Sequence, residues 1–489
     1  MKSICIIGSG LCGGYILKEF KDTINLKIKV IDLDSPSKKF IRKEKLKNIY
    51  INNHENLSFY DKIIRAYGFG GNSNYWHGGL TEFEDLDLKK IDNYLKSNFS
   101  KKLKKYYNKI WFSLNEKKIF NLKLKFNSLY LLFKNSNNFY TKKIFIQKNP
   151  FNSRSILKDL KKNKNFEFYE NSICLNINKS NNNNKINSIT ILKDGEKKEI
   201  TSDYFILSAG SFETPRILLE SIKNGNLNLI NNNIGKNLID HPFLKIGEIY
   251  NKNKKKVEAN YFNEHYSKNL NLRVSFSFEE NFQNYKLNHS IVLRPHVSNE
   301  IIEFKNFLKK YLNEKKYYYL FKFVLKNIIN INLIFKILLI HLTKRKNIID
   351  VFLHLDQHSS QKNKISLSDY KDKFNRTIPK VIFGNDQDEK NTINKSVKLL
   401  ISLFKYSSFE FNLNKKKLFF YHGNHFSGTA RISPNDKLGV VDNNLKVHGL
   451  SNLYICDSSV IPFFGNSNPV FTLMALCKML TDSLKQKIK

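Results

Sequence analysis

The chain has 489 residues, enough for two or three domains and a large buried core. Hydrophobic residues make up 41% and charged residues 26%, a globular balance that excludes a polytopic membrane protein and a wholly disordered chain. The net charge is +39, but the cations are overwhelmingly lysine, spread evenly beside Asn runs such as Asn181–Asn184; this reads as a compositional Lys/Asn/Ile bias, lacks the arginine that base and phosphate readers favour, and argues against a nucleic-acid partner.

Ser3 to Ile7 is a short apolar run of buried-strand type, followed by Gly8-Ser9-Gly10-Leu11-Cys12-Gly13 and a helical stretch to Phe20. A second apolar strand, Leu26 to Ile31, ends at Asp32, about twenty residues after Gly13. Strand, Gly-x-Gly-x-x-Gly, helix, strand and acid together predict a dinucleotide site. Gly8 permits the turn, Gly10 lets backbone N–H groups approach a pyrophosphate, and Gly13 lets helix and strand pack. The helix N-terminus favours the phosphates, and Asp32 suits ribose hydroxyls. A strand starting at Ser3 leaves no n-region for a signal peptide, so a cytoplasmic location is expected.

Arg65 to Gly79 is rich in glycine and small polar residues, with Trp76 in its midst, and reads as a loop built against a planar ligand. Residues 85–150 read as mostly helical. Phe166 to Asn178 and Ile186 to Leu192 alternate as strands, with a turn at Asn181–Asn184. Tyr204 to Leu207 is another buried strand, and Ser211 to Ser221 a helix with Pro215 in its first turn. From 246 to 416 period-two segments such as Leu272 to Phe278 and Val351 to Leu355 predict an antiparallel sheet. The apolar stretch 317–342 is interrupted by Lys322, Lys326 and Lys336, too short of the ~20 residues that span a bilayer. It reads as an amphipathic helix, packed internally or touching a membrane surface. The five cysteines match no zinc spacing and read as buried thiols, and no metal is expected. Asn468 followed by Pro469 predicts an N-cap and first helical residue ahead of Val470 to Leu484.

The C-terminal motifs His425-Phe426-Ser427-Gly428-Thr429, Cys456-Asp457-Ser458-Ser459 and Asn468-Pro469, with Gly210 to Ser221 and Gly235 to Pro242, resemble the glucose–methanol–choline (GMC) oxidoreductases. The resemblance covers both ends and the middle, and is weakest over 246–350. It implies an α/β fold: a Rossmann-like FAD-binding domain (1–90, 151–245 and 417–489) with an inserted α+β substrate domain on an antiparallel sheet (91–150 and 246–416). It implies FAD held by Gly8, Gly10, Gly13 and Asp32, by Asp457 near the pyrophosphate and ribityl chain, by the loop Gly70, Gly71, Asn72 and Ser73 against the ring system, and at Pro469. Tyr75 stands where some relatives attach FAD through histidine, so non-covalent FAD is expected. His425 matches the catalytic base and Asn468 its partner. His is suited to take a hydroxyl proton, and Asn468 to orient the substrate oxygen.

The implied activity is oxidation of a CH–OH group with hydride passing to the flavin. The Ser73-Asn74-Tyr75-Trp76 loop points to a sugar or another alcohol, and Trp76-His77 and Asp356-Gln357-His358 are candidate pocket residues. Two alternatives stand beside this reading. One is a flavin dehydrogenase docked on a membrane through 317–342 that hands electrons to a quinone or cytochrome partner. The other is a non-catalytic FAD-binding protein. The residues do not name the electron acceptor.

Overall fold

The computed structural model describes residues 1–33, 50–53, 66, 68–114, 126–181, 183–253, 257–258, 264–265, 270–279, 287–296, 345–346, 348–384, 386–414 and 420–488. The stretch 317–342 lies outside the described residues.

The apolar runs near the N-terminus form the middle of a five-stranded parallel sheet. Its order is Leu453–Ile455, Tyr204–Leu207, Lys2–Ile7, Leu26–Ile31 and Phe166–Tyr169. Ile4, Cys5 and Ile6 are completely buried, as expected for a strand covered on both faces. The fingerprint helix Leu11–Phe20 packs against the C-terminal helix Val470–Ile488, where Cys477 Sγ lies 3.7 Å from Cys12 O and Lys478 pairs with Glu19 at 2.6 Å.

The span from Phe166 to Asn178 is two strands in different sheets. The chain breaks at Asn171, in the left-handed region with φ 52°, so Phe166–Tyr169 joins the parallel sheet and Ser172–Lys179 starts a three-stranded antiparallel one. Asparagine tolerates that conformation better than most side chains.

The second large sheet runs Phe409–Leu413, Phe243–Asn251, Ile348–His354, Ser290–Pro295, Leu270–Phe278, Phe139–Gln147 and Gly79–Leu80, with every pair along this order antiparallel. This Rossmann-like sheet plus antiparallel sheet is the architecture expected from the motifs. The expectation of a mostly helical 85–150 needs correction. Helices do occupy Asp85–Leu95, Phe99–Ser113 and Ser128–Lys134, but Phe139–Gln147 is a strand paired over its whole length with Leu270–Phe278. Its two lysines disguise it, because Lys142 is buried (5% exposed) where a charge normally marks an outer face.

The helix after Tyr204–Leu207 starts at Gly210, one residue earlier than expected, which puts Pro215 in its second turn. The five cysteines are all buried and free. No helix among the described residues is long and apolar enough to cross a membrane.

Candidate active site

The fingerprint turn carries the features a dinucleotide needs. A Cβ on Gly13 would lie 2.0 Å from Gly8 O, so only glycine lets the helix seat on the strand. A Cβ on Gly10 meets no atom of the described residues within 4 Å, so the backbone is open on that side. The helix begins at Gly10 with no side-chain cap and no acid in its first turn. Among the described residues no side chain caps these first N–H groups, which suits them to an anion. Asp32 Oδ2 accepts from Ser9 N–H (2.9 Å) and Ser9 Oγ–H (2.5 Å), fixing the carboxylate at the mouth of the turn. This donor set, an open glycine and an uncapped helix end beside a held acid, fits the ADP half of FAD.

Gly70 to Ser73 pack directly on that turn. Gly70 N–H donates to Ser9 O (3.2 Å), and Gly71–Asn74 form a 3-10 turn. Asn72 Oδ1 accepts from Ala66 N–H, Ser73 Oγ donates to Gly70 O, and Trp76 Nε1 donates to Phe151 O. These bonds pin the loop, and Trp76 packs against the main core, as its place among the glycines suggested.

Asp457 lies beside the first turn of the helix Gly210–Lys223. Its carboxylate accepts from Gly210 N–H (2.9 Å), Thr214 Oγ1–H (2.6 Å), Ser459 N–H (2.8 Å) and Ser459 Oγ–H (2.5 Å). All these partners are protein groups, tying the start of the helix Gly210–Lys223 to the turn 458–460. Burial pushes its carboxyl up, against the pull of those bonds.

His425 sits in a loop brought against His241. A Cβ on Gly423 would lie 2.1 Å from His241 O, so the close approach of the two segments depends on that glycine. Asp240 is fully buried and ties the loop down: it accepts from His425 N–H (2.9 Å) and from His422 Nδ1–H (2.9 Å). Gln357 Oε1 accepts Asp240 N–H (2.8 Å), so Gln357 braces this support. Asp356 accepts from Asn288 N–H and pairs with Lys90, and His358 pairs with Asp388. His77 lies close enough to His425 to act on its titration. Burial lowers the pKa of His425, with Asp240 opposing and His77 adding to the fall.

Three imidazoles converge here. His241, His354 and His425 each offer a ring nitrogen within 4.8 Å of the others. His241 and His354 stack with centroids 3.4 Å apart, and His241 and His425 are 5.9 Å apart. His425 Nδ1, His354 Nε2 and both nitrogens of His241 are buried without a hydrogen-bond partner among the described residues. Neither His241 nor His354 was singled out from the sequence. His241 stood in the Gly235–Pro242 motif and His354 at the end of an apolar strand, but nothing local shows that these points meet.

Asn468 follows Phe464 by four residues, and the Phe464 ring lies against His241 with centroids 5.9 Å apart. Its Nδ2 would be 3.2 Å from a Cβ on Gly79. The first helical bond runs from Leu473 N–H to Pro469 O, so Pro469 occupies the cap position and Asn468 precedes it by one residue. The turn before Asn468 is held from the other sheet. Lys142 Nζ donates to Ser467 Oγ (2.7 Å), Asn466 O (3.1 Å) and Asn466 Oδ1, and lies 3.4 Å from Glu84 Oε1. Asn466 Nδ2 donates in turn to Ser277 Oγ and Asn288 Oδ1.

Two family models described as GMC oxidoreductase match the chain, an N-terminal one over residues 150–243 and a C-terminal one over 359–477. Among solved structures, the fold is similar to pyridoxine 4-oxidase from Mesorbium loti (TM-score 0.64, 12% identity, 99% of each chain covered). It is also similar to formate oxidase (TM-score 0.58, 14% identity, 99% of this chain and 98% of that one). A third match is an FAD-dependent oxidoreductase from Chaetomium thermophilum (TM-score 0.60, 12% identity, 100% and 99%).

Proposed function

Because this chain belongs to the GMC oxidoreductases, we propose that it is an FAD-dependent enzyme that oxidises a CH–OH group of a sugar or other small alcohol, with His425 as the base. The observation that carries this reading is the buried, unpartnered Nδ1 of His425 in a pocket of neutral imidazoles. When bound, FAD accepts the hydride. The chain's own part is to hold the cofactor and to manage the hydroxyl proton.

Gly8, Gly10, Gly13 and Asp32 hold the ADP half, and the platform Gly70, Gly71, Asn72 and Ser73 supports the ring system. Asp457, near the pyrophosphate and ribityl chain, also fixes the start of the helix Gly210–Lys223, and Pro469 caps the C-terminal helix beside the flavin. His425, kept neutral by its burial, receives the proton from the donor hydroxyl. Asn468 donates a hydrogen bond to the same oxygen and does not titrate. The cofactor is bound non-covalently: acid precipitation is expected to release all the flavin into the supernatant.

The test of the activity is the visible spectrum of the purified protein under anaerobic conditions, with sugars, polyols, amino alcohols and simple alcohols added in turn. Bleaching by one class supports the mechanism and names the donor. Bound flavin that none of them bleaches counts against it.

The fingerprint glycines separate binding from folding. Gly10→Ala is expected to lower FAD affinity at least tenfold and leave the melting temperature of the deflavinated protein within a degree or so, because its Cβ is clear of the described residues. Gly13→Ala is expected to lower both, because its Cβ collides with Gly8 O. The ratio of flavin to protein absorbance and a thermal melt read the two effects.

A further inference from the structure

We propose that His241, His354 and His425 form a binding site for one divalent late transition-metal cation of the zinc class. The site rests on geometry and donor chemistry, independently of the proposed reaction. The three rings come from three separated parts of the chain: the turn before Phe243–Asn251, the end of Ile348–His354, and the loop that follows Gly423. His241 is completely buried and His354 is 4% exposed. Four of their ring nitrogens, counting His425 Nδ1, have no hydrogen-bond partner among the described residues. A buried polar atom left unpaired is costly, so these nitrogens mark a place that a ligand completes.

A donor hydroxyl has one proton to give, so it meets the bare lone pair of one imidazole at a time. A zinc-class cation takes three, with a water in the fourth position. The set is all nitrogen, which suits zinc, copper or nickel and not the hard cations magnesium and calcium. Zn–N bonds of about 2.0–2.1 Å place tetrahedral nitrogens about 3.3 Å apart. The ligand atoms already lie within 4.8 Å of one another, so closure takes a shift of about 1.5 Å at most. The stacked pair must slide and tilt for both lone pairs to converge, and the rings beside them, Phe243 on His354 (3.9 Å) and Phe464 on His241 (5.9 Å), are apolar and do not compete for the nitrogens. The carboxylate of Asp240, bonded to the backbone N–H of His425, supplies negative charge next to the site.

Metal at this site occupies the lone pair of His425. On the reading of His425 as the base, it is a reversible inhibitor that competes with the donor.

The experiment is calorimetric titration of the chelator-washed flavoprotein with zinc chloride, for wild type and for His354→Phe, a substitution that keeps the ring stack and removes a ligand. The expected result is one zinc per wild-type chain and at least tenfold weaker binding in the variant. X-ray absorption of the zinc-loaded wild type is expected to show three imidazole nitrogens at 2.0–2.1 Å, a readout that stands if the variant does not fold. No stoichiometric zinc in the wild type, equal affinity in a folded His354→Phe, or a zinc shell without imidazole overturns the proposal. Inhibition of donor-driven bleaching that a chelator reverses supports both site and base. Zinc bound at the imidazoles without inhibition supports the site and counts against His425 as the base.

Discussion

His425→Ala is expected to lower donor-driven flavin bleaching by about 10²–10⁴-fold, the usual contribution of a positioned general base. The flavin spectrum and the melting temperature should change little, because the loop is held through the backbone. His425 N–H donates to Asp240, and that bond survives removal of the ring. The pH dependence follows from the same surroundings. Burial lowers the pKa of His425, Asp240 pulls it back up, and His77 lowers it further. A base must be deprotonated to act, so kcat/KM should be flat at neutral pH and fall only as pH drops through a value below the ordinary ~6.5 of histidine. Asp240→Asn removes the carboxylate that props the pKa up, so the acid limb should move to still lower pH. Stopped-flow bleaching across the pH range reads both effects. An alanine variant that turns over like wild type, or an acid limb above 6.5, would remove His425 from the mechanism.

Lys142→Met is expected to destabilise the protein by about 3–5 kcal/mol, the usual result of breaking one half of a buried ion pair. Lys142 and Glu84 side chains are 4% and 14% exposed. Burial by itself raises the Glu84 carboxyl; Lys142, with Tyr140 and Asn288, brings it below the usual carboxylate range. Without the cation that charge stays buried and poorly compensated. Burial also lowers the Lys142 amine, with Glu84 and Asp87 opposing, so the pair belongs together. Glu84→Gln in the Lys142→Met background should therefore recover part of the lost stability, a coupling that a simple packing defect would not produce. Because Lys142 also grips Asn466 and Ser467, the variant loosens the turn that presents Asn468. We expect kcat to fall more than KM changes. Thermal melts of the two single variants and the double variant decide it: a Lys142→Met protein as stable as wild type would mean the pair contributes nothing.

These two residues differ in how far the chain alone reveals them. His425 is legible because its neighbours along the chain, His-x-x-Gly-Thr, carry the resemblance. Lys142 is hidden, because a lysine within Thr141-Lys142-Lys143 reads as a solvated charge and steers the reading toward a helical surface. Its strand is legible only once Leu270–Phe278 is laid beside it. His241 and His354 are hidden in the same way. Each is an ordinary residue at the edge of an apolar run until the sheet register puts Phe243 opposite His354 and brings the two rings together.

By itself, then, the sequence determined what depends on neighbours in the chain: the buried parallel strands, the glycine turn between strand and helix, the acid at the end of the second strand, and the family motifs that imply FAD and a histidine base. These are set by period, by backbone freedom and by short-range sterics. Only the tertiary structure decided what depends on contacts across the chain. It gave Asp457 a helix to brace, moved the cap from Asn468 to Pro469, paired Asp356 with Lys90 and His358 with Asp388, buried Lys142 under the Asn466–Ser467 turn, and gathered three histidines around one point. The physical reason is that burial and pairing change what a polar side chain does, and which residues are buried together is a property of the packed sheets rather than of any local stretch.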